Sequence, residues 1–155
     1  MQPRTRMGLI VGGIGLVLNI CVAGFLGFCG PVLALIAGGL AGFFAAQQEK
    51  LPSKNDGARA GATAGGIAGG LIIIGQLIGG VGALLYFQTV GNGNTIFGQV
   101  PSLSGDPGSL VGFYGGGLFT GLCFGIIGAL LAAGAGAGAG YLATSDQPPV
   151  HSEIP

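Results

Sequence analysis

Charge is nearly absent from this sequence. Only ten of its 155 residues are Asp, Glu, Lys or Arg, and it has one histidine and no tryptophan. Soluble domains carry roughly 25% charged residues, so ten charges are too few to cover the surface of a soluble fold. Half of the residues are apolar, which excludes a disordered chain because disordered chains are polar. With soluble and disordered proteins excluded, the composition indicates a small integral membrane protein.

The few charges leave three uncharged stretches, at 7–48, 60–105 and 107–145. A helix needs about 20 mainly apolar residues to cross a hydrocarbon core of about 30 Å. The first stretch is long enough for two crossings, and Cys29-Gly30-Pro31 marks the break, because proline suits the first turn of a helix. The alternative is one kinked helix, which at about 60 Å would overshoot the hydrocarbon core.

Capping and turn-forming residues delimit the other two spans. Ser53, Asn55 and Asp56 are residue types that cap helix N-termini, and they precede the second uncharged stretch. Residues 91–109 are rich in Gly, Asn, Ser and Pro, which favour non-helical backbone and predict a long loop. The last span follows this loop, with Asp106-Pro107 or Ser109 at its start.

The sequence therefore predicts an all-α fold, an integral membrane four-helix bundle built from two helical hairpins. The fourth span is longer than one crossing requires, so either it tilts and protrudes or its glycine-rich end lies at the membrane surface. The predicted parts are a tail at 1–7, spans at about 8–28, 31–47, 60–87 and 110–143, an outer loop at 88–109 and a disordered tail at 144–155.

All five basic residues are predicted to lie on one side of the membrane. Arg4 and Arg6 precede the first span, and Lys50, Lys54 and Arg59 lie between the second and third spans. These two segments face the same side in a four-span chain, and the positive-inside rule makes that side cytoplasmic. We therefore expect a multi-pass protein of the cell membrane with both termini in the cytoplasm.

Many of the 36 glycines recur at intervals of four residues. Four residues are just over one helical turn, so each row forms a groove along one face where two helices can approach closely. The rows either pack only this chain's own helices or also bind partner chains. We expect glycine-zipper packing along Gly57, Gly61, Gly65 and Gly69, along Gly75 and Gly79, and along Gly117, Gly121 and Gly125; the pairs Gly66 and Gly70, Gly134 and Gly138, and Gly136 and Gly140 repeat the spacing.

Chemically active side chains are missing from the predicted spans, which contain no Asp, Glu, Lys, Arg or His. Their strongest polar residues are Asn19 and Gln76, for which we expect interhelical hydrogen bonds, with the lining of a polar pathway as the alternative. Catalysis within a membrane needs ionisable groups that face the bundle or a cavity. We therefore expect no enzyme, no catalytic residue, no cofactor and no metal site, and the mixed charges of residues 48–59 indicate no nucleic-acid partner.

Two segments resemble a known kind of protein. Residues 37–42 read Ala-Gly-Gly-Leu-Ala-Gly, and after a short charged loop residues 57–62 read Gly-Ala-Arg-Ala-Gly-Ala and lead into a glycine-rich helix through residue 69. This arrangement is similar to that of uncharacterised small glycine-rich four-helix membrane proteins of bacteria and archaea. The resemblance implies a prokaryotic membrane and no established activity.

Two functions agree with these features. The first is a structural or accessory subunit whose glycine-rich helix faces pack against other subunits of a membrane complex. The second is a homo-oligomeric pore or carrier for a small or uncharged solute. The lack of charge in the spans favours the first, because pores commonly gain selectivity from charged rings or ordered carbonyl groups.

Overall fold

The computed structural model describes residues 2–23, 29–89, 94–95, 98–99 and 106–145. Within them, four α-helices are long and apolar enough to cross a membrane, which confirms the predicted all-α fold with four candidate spans. Between the third and fourth helices, two short strands pair in antiparallel fashion. The elements are α1 at Pro3–Ala23, α2 at Cys29–Glu49, α3 at Lys54–Thr89, β1 at Asn94–Thr95, β2 at Gly98–Gln99 and α4 at Pro107–Ala143.

Capping residues set the starts of the two long helices. The Ser53 hydroxyl donates to Asp56 Oδ2 at 2.7 Å and accepts from the Asp56 backbone N–H at 3.3 Å, so α3 begins immediately after Ser53. Its start is therefore earlier than the predicted span start near residue 60. Asp106 caps α4 by accepting from the Ser109 N–H at 3.1 Å, and Pro107 is the first helical residue. The fourth helix is continuous from there to its end.

Several predicted features fall on residues outside the described ranges. These are the end of the first predicted span at 24–28, most of the predicted outer loop, and the tail from residue 146 onwards. Thr144, the first residue of the predicted disordered tail, is buried and donates its hydroxyl to Gly140 O at 2.9 Å. The end of α4 is therefore packed into the bundle.

The helices alternate in direction. Gly12 on α1 lies against Ala68 on α3, and Gly8 lies against Ala64, so these two helices run the same way. On α4, Gly140 lies against Gly57 of α3, and Ala129 lies against Gly69. Residue numbers on α4 therefore fall as those on α3 rise, so these two helices run in opposite directions. Helices α2 and α3 pack against each other and against both remaining helices, which places α1 and α4 on the two flanks of this pair.

The interior consists almost entirely of small residues. Among the described residues, Ile72 and Asn19 are the only large side chains that are at most 2% exposed. Small residues allow helix backbones to approach closely, so dispersion contacts replace the hydrophobic drive that lipid does not supply. The other buried apolar side chains are Ala34, Ala37, Ala41, Ala45, Ala46, Ala60, Ala64, Ala68 and Ala132.

Nearly all the charged side chains of the described residues lie at one end of the bundle, which we name the charged end. Arg4 on α1 donates its backbone N–H to Glu49 Oε1 on α2 at 3.0 Å, and its Nε lies 3.8 Å from the same oxygen. Lys54 Nζ at the start of α3 lies 5.6 Å from the ring centre of Tyr141 near the end of α4. The first contact joins the ends of α1 and α2, and the second joins the ends of α3 and α4. Only four residues separate α2 from α3, so both pairs of ends lie at the same level.

Helices α3 and α4 are much longer than their neighbours. Helices α1 and α2 have 21 residues each, about 31 Å, whereas α3 and α4 have 36 and 37 residues, about 55 Å. Gly30, near the start of α2, lies beside Gln76 of α3, so the additional length projects from the end opposite the charged end. Residues 77–89 and 107–124 lie beyond the start of α2, and we name them the α3–α4 extension. Gly75 meets Leu16 and α1 continues to Ala23, so α3 up to about residue 82 still lies beside α1 and the remainder projects beyond both shorter helices.

Candidate interaction surfaces

One predicted row of glycines on α3 lies directly against α4. A methyl group placed on Gly65 would lie 3.1 Å from the carbonyl carbon of Ala132, and one on Gly69 would lie 2.8 Å from Ala129 Cα. Real Cβ atoms essentially never come within 3.0 Å of another heavy atom, so a larger residue requires the two backbones to separate. The residues of this row are Gly57, Gly61, Gly65 and Gly69.

Gly136 of α4 occupies the point where three helices meet. A methyl group there would lie 3.0 Å from Gly38 O on α2 and 3.1 Å from Gly65 Cα on α3. A methyl group on Gly42 of α2 would lie 2.6 Å from Gly136 Cα. The sequence analysis did not include Gly38 and Gly42 in its rows. Their spacing of four residues is the same signal that identified the other rows.

Glycines of α1 form a further close contact that the predicted rows omitted. Gly8 and Gly12 are buried against α3, and a methyl group on Gly12 would lie 2.7 Å from Ala68 Cα. These two glycines also have the four-residue spacing. Gly75 of α3, which the sequence did indicate, lies at the same interface, where its methyl group would be 2.9 Å from Leu16 O.

The remaining predicted glycines differ in how closely they pack. Gly79 is buried, and a methyl group on Gly125 would lie 3.1 Å from Ile73 Cγ1. At Gly121 and Gly117 the nearest atoms are leucine side-chain carbons at 3.8 and 4.0 Å, which is ordinary van der Waals distance. Leucine side chains of α3 therefore separate the two helices at Gly117 and Gly121. The predicted row of Gly117, Gly121 and Gly125 does not bring the two backbones together at these two positions.

The two predicted intramembrane polar residues have different environments. Asn19 is 1% exposed, and its Nδ2 donates to Ile72 O on α3 at 3.0 Å. This is an interhelical hydrogen bond of the kind expected, and such bonds contribute about 1 kcal/mol in membranes. Gln76 is half-buried, and its Oε1 lies against the backbone of Gly30. The two amides do not form one polar site, because Asn19 bonds to backbone and lies on a different helix interface.

The α3–α4 extension presents a large exposed apolar surface. Val111 is 73% exposed, Phe119 is 70% exposed and Tyr86 is 59% exposed. Several glycines of the extension have no heavy atom within 4 Å of the position a Cβ would occupy, so their backbones are open to a neighbour. These open glycines are Gly80, Gly82, Gly112, Gly115 and Gly116.

Groups suited to metal binding do not come together in the described part of the chain, where no three His, Cys, Asp or Glu side chains form a cluster. The charged side chains there lie at the charged end, apart from Asp106 at the far end of α4. Away from the charged end, the described residues offer a partner apolar surface and open helix backbone.

No protein-family model matches the chain, and no curated protein or solved structure is significantly similar to it. The resemblance to small glycine-rich membrane proteins of bacteria and archaea therefore stays an expectation from the sequence.

Proposed function

We propose that this protein is a structural or accessory subunit of a larger membrane complex and that the α3–α4 extension is the surface that binds a partner subunit. The observation that carries this proposal is the position of the extension, which is apolar and exposed and projects beyond α1 and α2. Glycine-zipper contacts hold the four helices of the chain together, and the open glycines of the extension remain for the partner.

The lengths of the helices explain why lipid alone is a poor cover for the extension. Helices α1 and α2 match a hydrocarbon core of about 30 Å. The uncharged part of α3 from residue 60 to its end contains 30 residues, about 45 Å, and a typical tilt of about 20° shortens it by only about 3 Å. More than 10 Å of apolar helix pair therefore lies outside the hydrocarbon, where a second apolar protein surface would cover it.

The test compares two tryptophan substitutions on α4 at glycines whose Cβ positions face open space. Gly116→Trp lies in the extension, and Gly134→Trp lies near the charged end. After purification from the native membrane in mild detergent, native mass spectrometry should find unrelated chains bound in a constant ratio to the wild type and to Gly134→Trp. The Gly116→Trp variant should lose these chains, because the indole fills the space that a partner helix would occupy.

Other results of this experiment count against the proposal. Equal retention or equal loss of the bound chains in both variants would exclude the extension as the binding surface. Recovery of a ring of identical subunits, with ion or solute flux in liposomes above that of empty vesicles, would favour the pore. Thermal unfolding of each purified variant serves as the control. The Cβ positions of both residues have no heavy atom within 4 Å, so both variants should melt as the wild type does.

We propose that the charged end faces the cytoplasm, because it carries all five basic residues of the chain. Two of them lie at the start of α1, and three lie in or near the short connection between α2 and α3. In a cysteine-free background, Ser145→Cys near the charged end should react with an impermeant maleimide only after lysis. Ser104→Cys, in the predicted outer loop, should react in intact cells. The opposite pattern would reverse the orientation, and labelling of both positions in intact cells would contradict the four-span topology.

A further inference from the structure

A cleft of about 310 Å³ opens at the charged end between the C-terminal ends of α2 and α4. This volume is at the lower limit of small-molecule sites, so it accommodates a polar headgroup but not a whole lipid. It is separate from the α3–α4 extension, which lies at the other end of the helices. The lining residues are Ala46, Gln47, Lys50, Leu51, Ala143, Thr144 and Ser145.

Two helix C-termini meet at this cleft. Helix α2 ends at Glu49 and α4 ends at Ala143, and the last carbonyl groups of a helix have no partner within that helix. The Thr144 hydroxyl bonds to one of them, Gly140 O. The other terminal carbonyl groups are acceptors, and each helix end carries a partial negative charge of about half an elementary charge. Such an environment favours a cationic donor group over an anion.

The cleft also contains one cation of its own. Lys50 follows α2 directly, is exposed, and has no ion pair with any described residue. The nearby carboxylate of Glu49 is occupied by Arg4. The cleft therefore combines acceptor carbonyl groups with a lysine ammonium, and a ligand that suits both must carry a positive and a negative group close together.

Exposed apolar side chains lie near the cleft on both helices that form it. Phe43 lies one turn before Gln47 on α2, so it occupies the same helix face as the cleft residue, and it is 39% exposed. On α4, Leu142 precedes the lining residue Ala143 and is 83% exposed at the level of the cleft itself. A ligand with its polar group in the cleft could therefore extend acyl chains along these side chains.

We propose that this cleft binds the headgroup of a zwitterionic phospholipid with a primary ammonium, the phosphatidylethanolamine class. The ammonium donates to the terminal carbonyl groups of α2 and α4, and the phosphate pairs with Lys50. The trimethylated ammonium of phosphatidylcholine has no N–H to donate, and no aromatic ring lines the cleft to receive it. The proposal does not depend on the accessory-subunit function, because it concerns the isolated chain in a lipid environment.

The test titrates the purified full-length protein in detergent with dioleoyl phosphatidylethanolamine, phosphatidylcholine and phosphatidylglycerol, and native mass spectrometry measures the bound fraction. Phosphatidylethanolamine should bind about tenfold more tightly than phosphatidylcholine, because hydrogen bonds to a charged group account for at least that factor. Lys50→Gln should weaken phosphatidylethanolamine binding by about the same factor. Arg59→Gln removes the same charge from the same end outside the cleft and should leave the binding unchanged.

Three results would overturn the proposal. Equal affinity for the ethanolamine and choline lipids would exclude recognition of the ammonium. Tighter binding of phosphatidylglycerol would show a site for anionic lipids. An equal loss of binding in Lys50→Gln and Arg59→Gln would show a general surface-charge effect. The lipid comparison on the wild type is decisive even if a variant unfolds, and melting of both variants without lipid checks that they fold.

Discussion

Replacing Gly136 with leucine is expected to unfold the bundle in detergent. Its Cβ position lies 3.0 Å from Gly38 O and 3.1 Å from Gly65 Cα, so a side chain there meets the backbones of α2 and α3 at once. Neither backbone can move aside as a flexible side chain would. Overpacking a core costs about 1–3 kcal/mol and occasionally more, and with two backbones displaced we expect about 3 kcal/mol or more.

The matched control for this substitution is Gly134→Leu, two residues away on the same helix. A Cβ at Gly134 has no heavy atom within 4 Å, and leucine is a better helix former than glycine by up to about 1 kcal/mol. This variant should therefore melt at or above the wild-type temperature. Circular dichroism during thermal unfolding in one detergent measures both variants. Equal melting temperatures would show that α4 does not pack in the described orientation.

Gly65→Leu is expected to have the second-largest effect, because it separates α3 from α4 along the row of four glycines. Its Cβ would lie 3.1 Å from the carbonyl carbon of Ala132 and 3.2 Å from Gly136 Cα. Leucine forces these helices apart and removes dispersion contacts along their whole interface. We expect a loss of at least about 2 kcal/mol, measured as a lower midpoint of unfolding in sodium dodecyl sulfate.

The adjacent Gly66 supplies the control, since its Cβ position has no heavy atom within 4 Å. Gly66→Leu gains the same helix propensity as Gly65→Leu but should keep the wild-type midpoint. Ile72→Leu tests the interior in a different way: Ile72 is 2% exposed, but the exchange conserves volume and should cost less than about 1.5 kcal/mol. If Gly65→Leu and Gly66→Leu shift the midpoint equally, the row does not determine the packing of α3 on α4.

The number and type of the helices could be predicted because they depend on properties of continuous segments. Asp106 and Pro107 indicate the start of α4 by local chemistry, and the described helix begins there. Asn19 could be recognised as an interhelical donor from its rarity in an apolar span, although its acceptor, Ile72 O, could not be named. A backbone carbonyl has no sequence signature, so only the contact between the two helices identifies it.

The glycine rows were predicted in part, and the reason is geometric. A spacing of four residues identifies a helix face without indicating whether that face is directed towards another helix or away from it. In the segment 134–140, Gly136 and Gly140 lie within the bundle, whereas Gly134 and Gly138 face open space, yet both pairs have the same spacing. Gly8, Gly12, Gly38 and Gly42 were missed although they carry the same signal, because spacing does not rank one row above another.

By itself, the sequence determined that this chain is all-α, that it has four helices long and apolar enough to cross a membrane, and that α4 begins at Pro107. These features follow from the sequence because apolar length, charge and capping act within continuous segments. Only the tertiary structure decided which glycines lie between helices, that Gly136 joins three of them, and that α3 and α4 project beyond α1 and α2. The cleft at Lys50 was likewise identified only by the tertiary structure. Each depends on the register and relative direction of separate helices, which backbone contacts set in three dimensions.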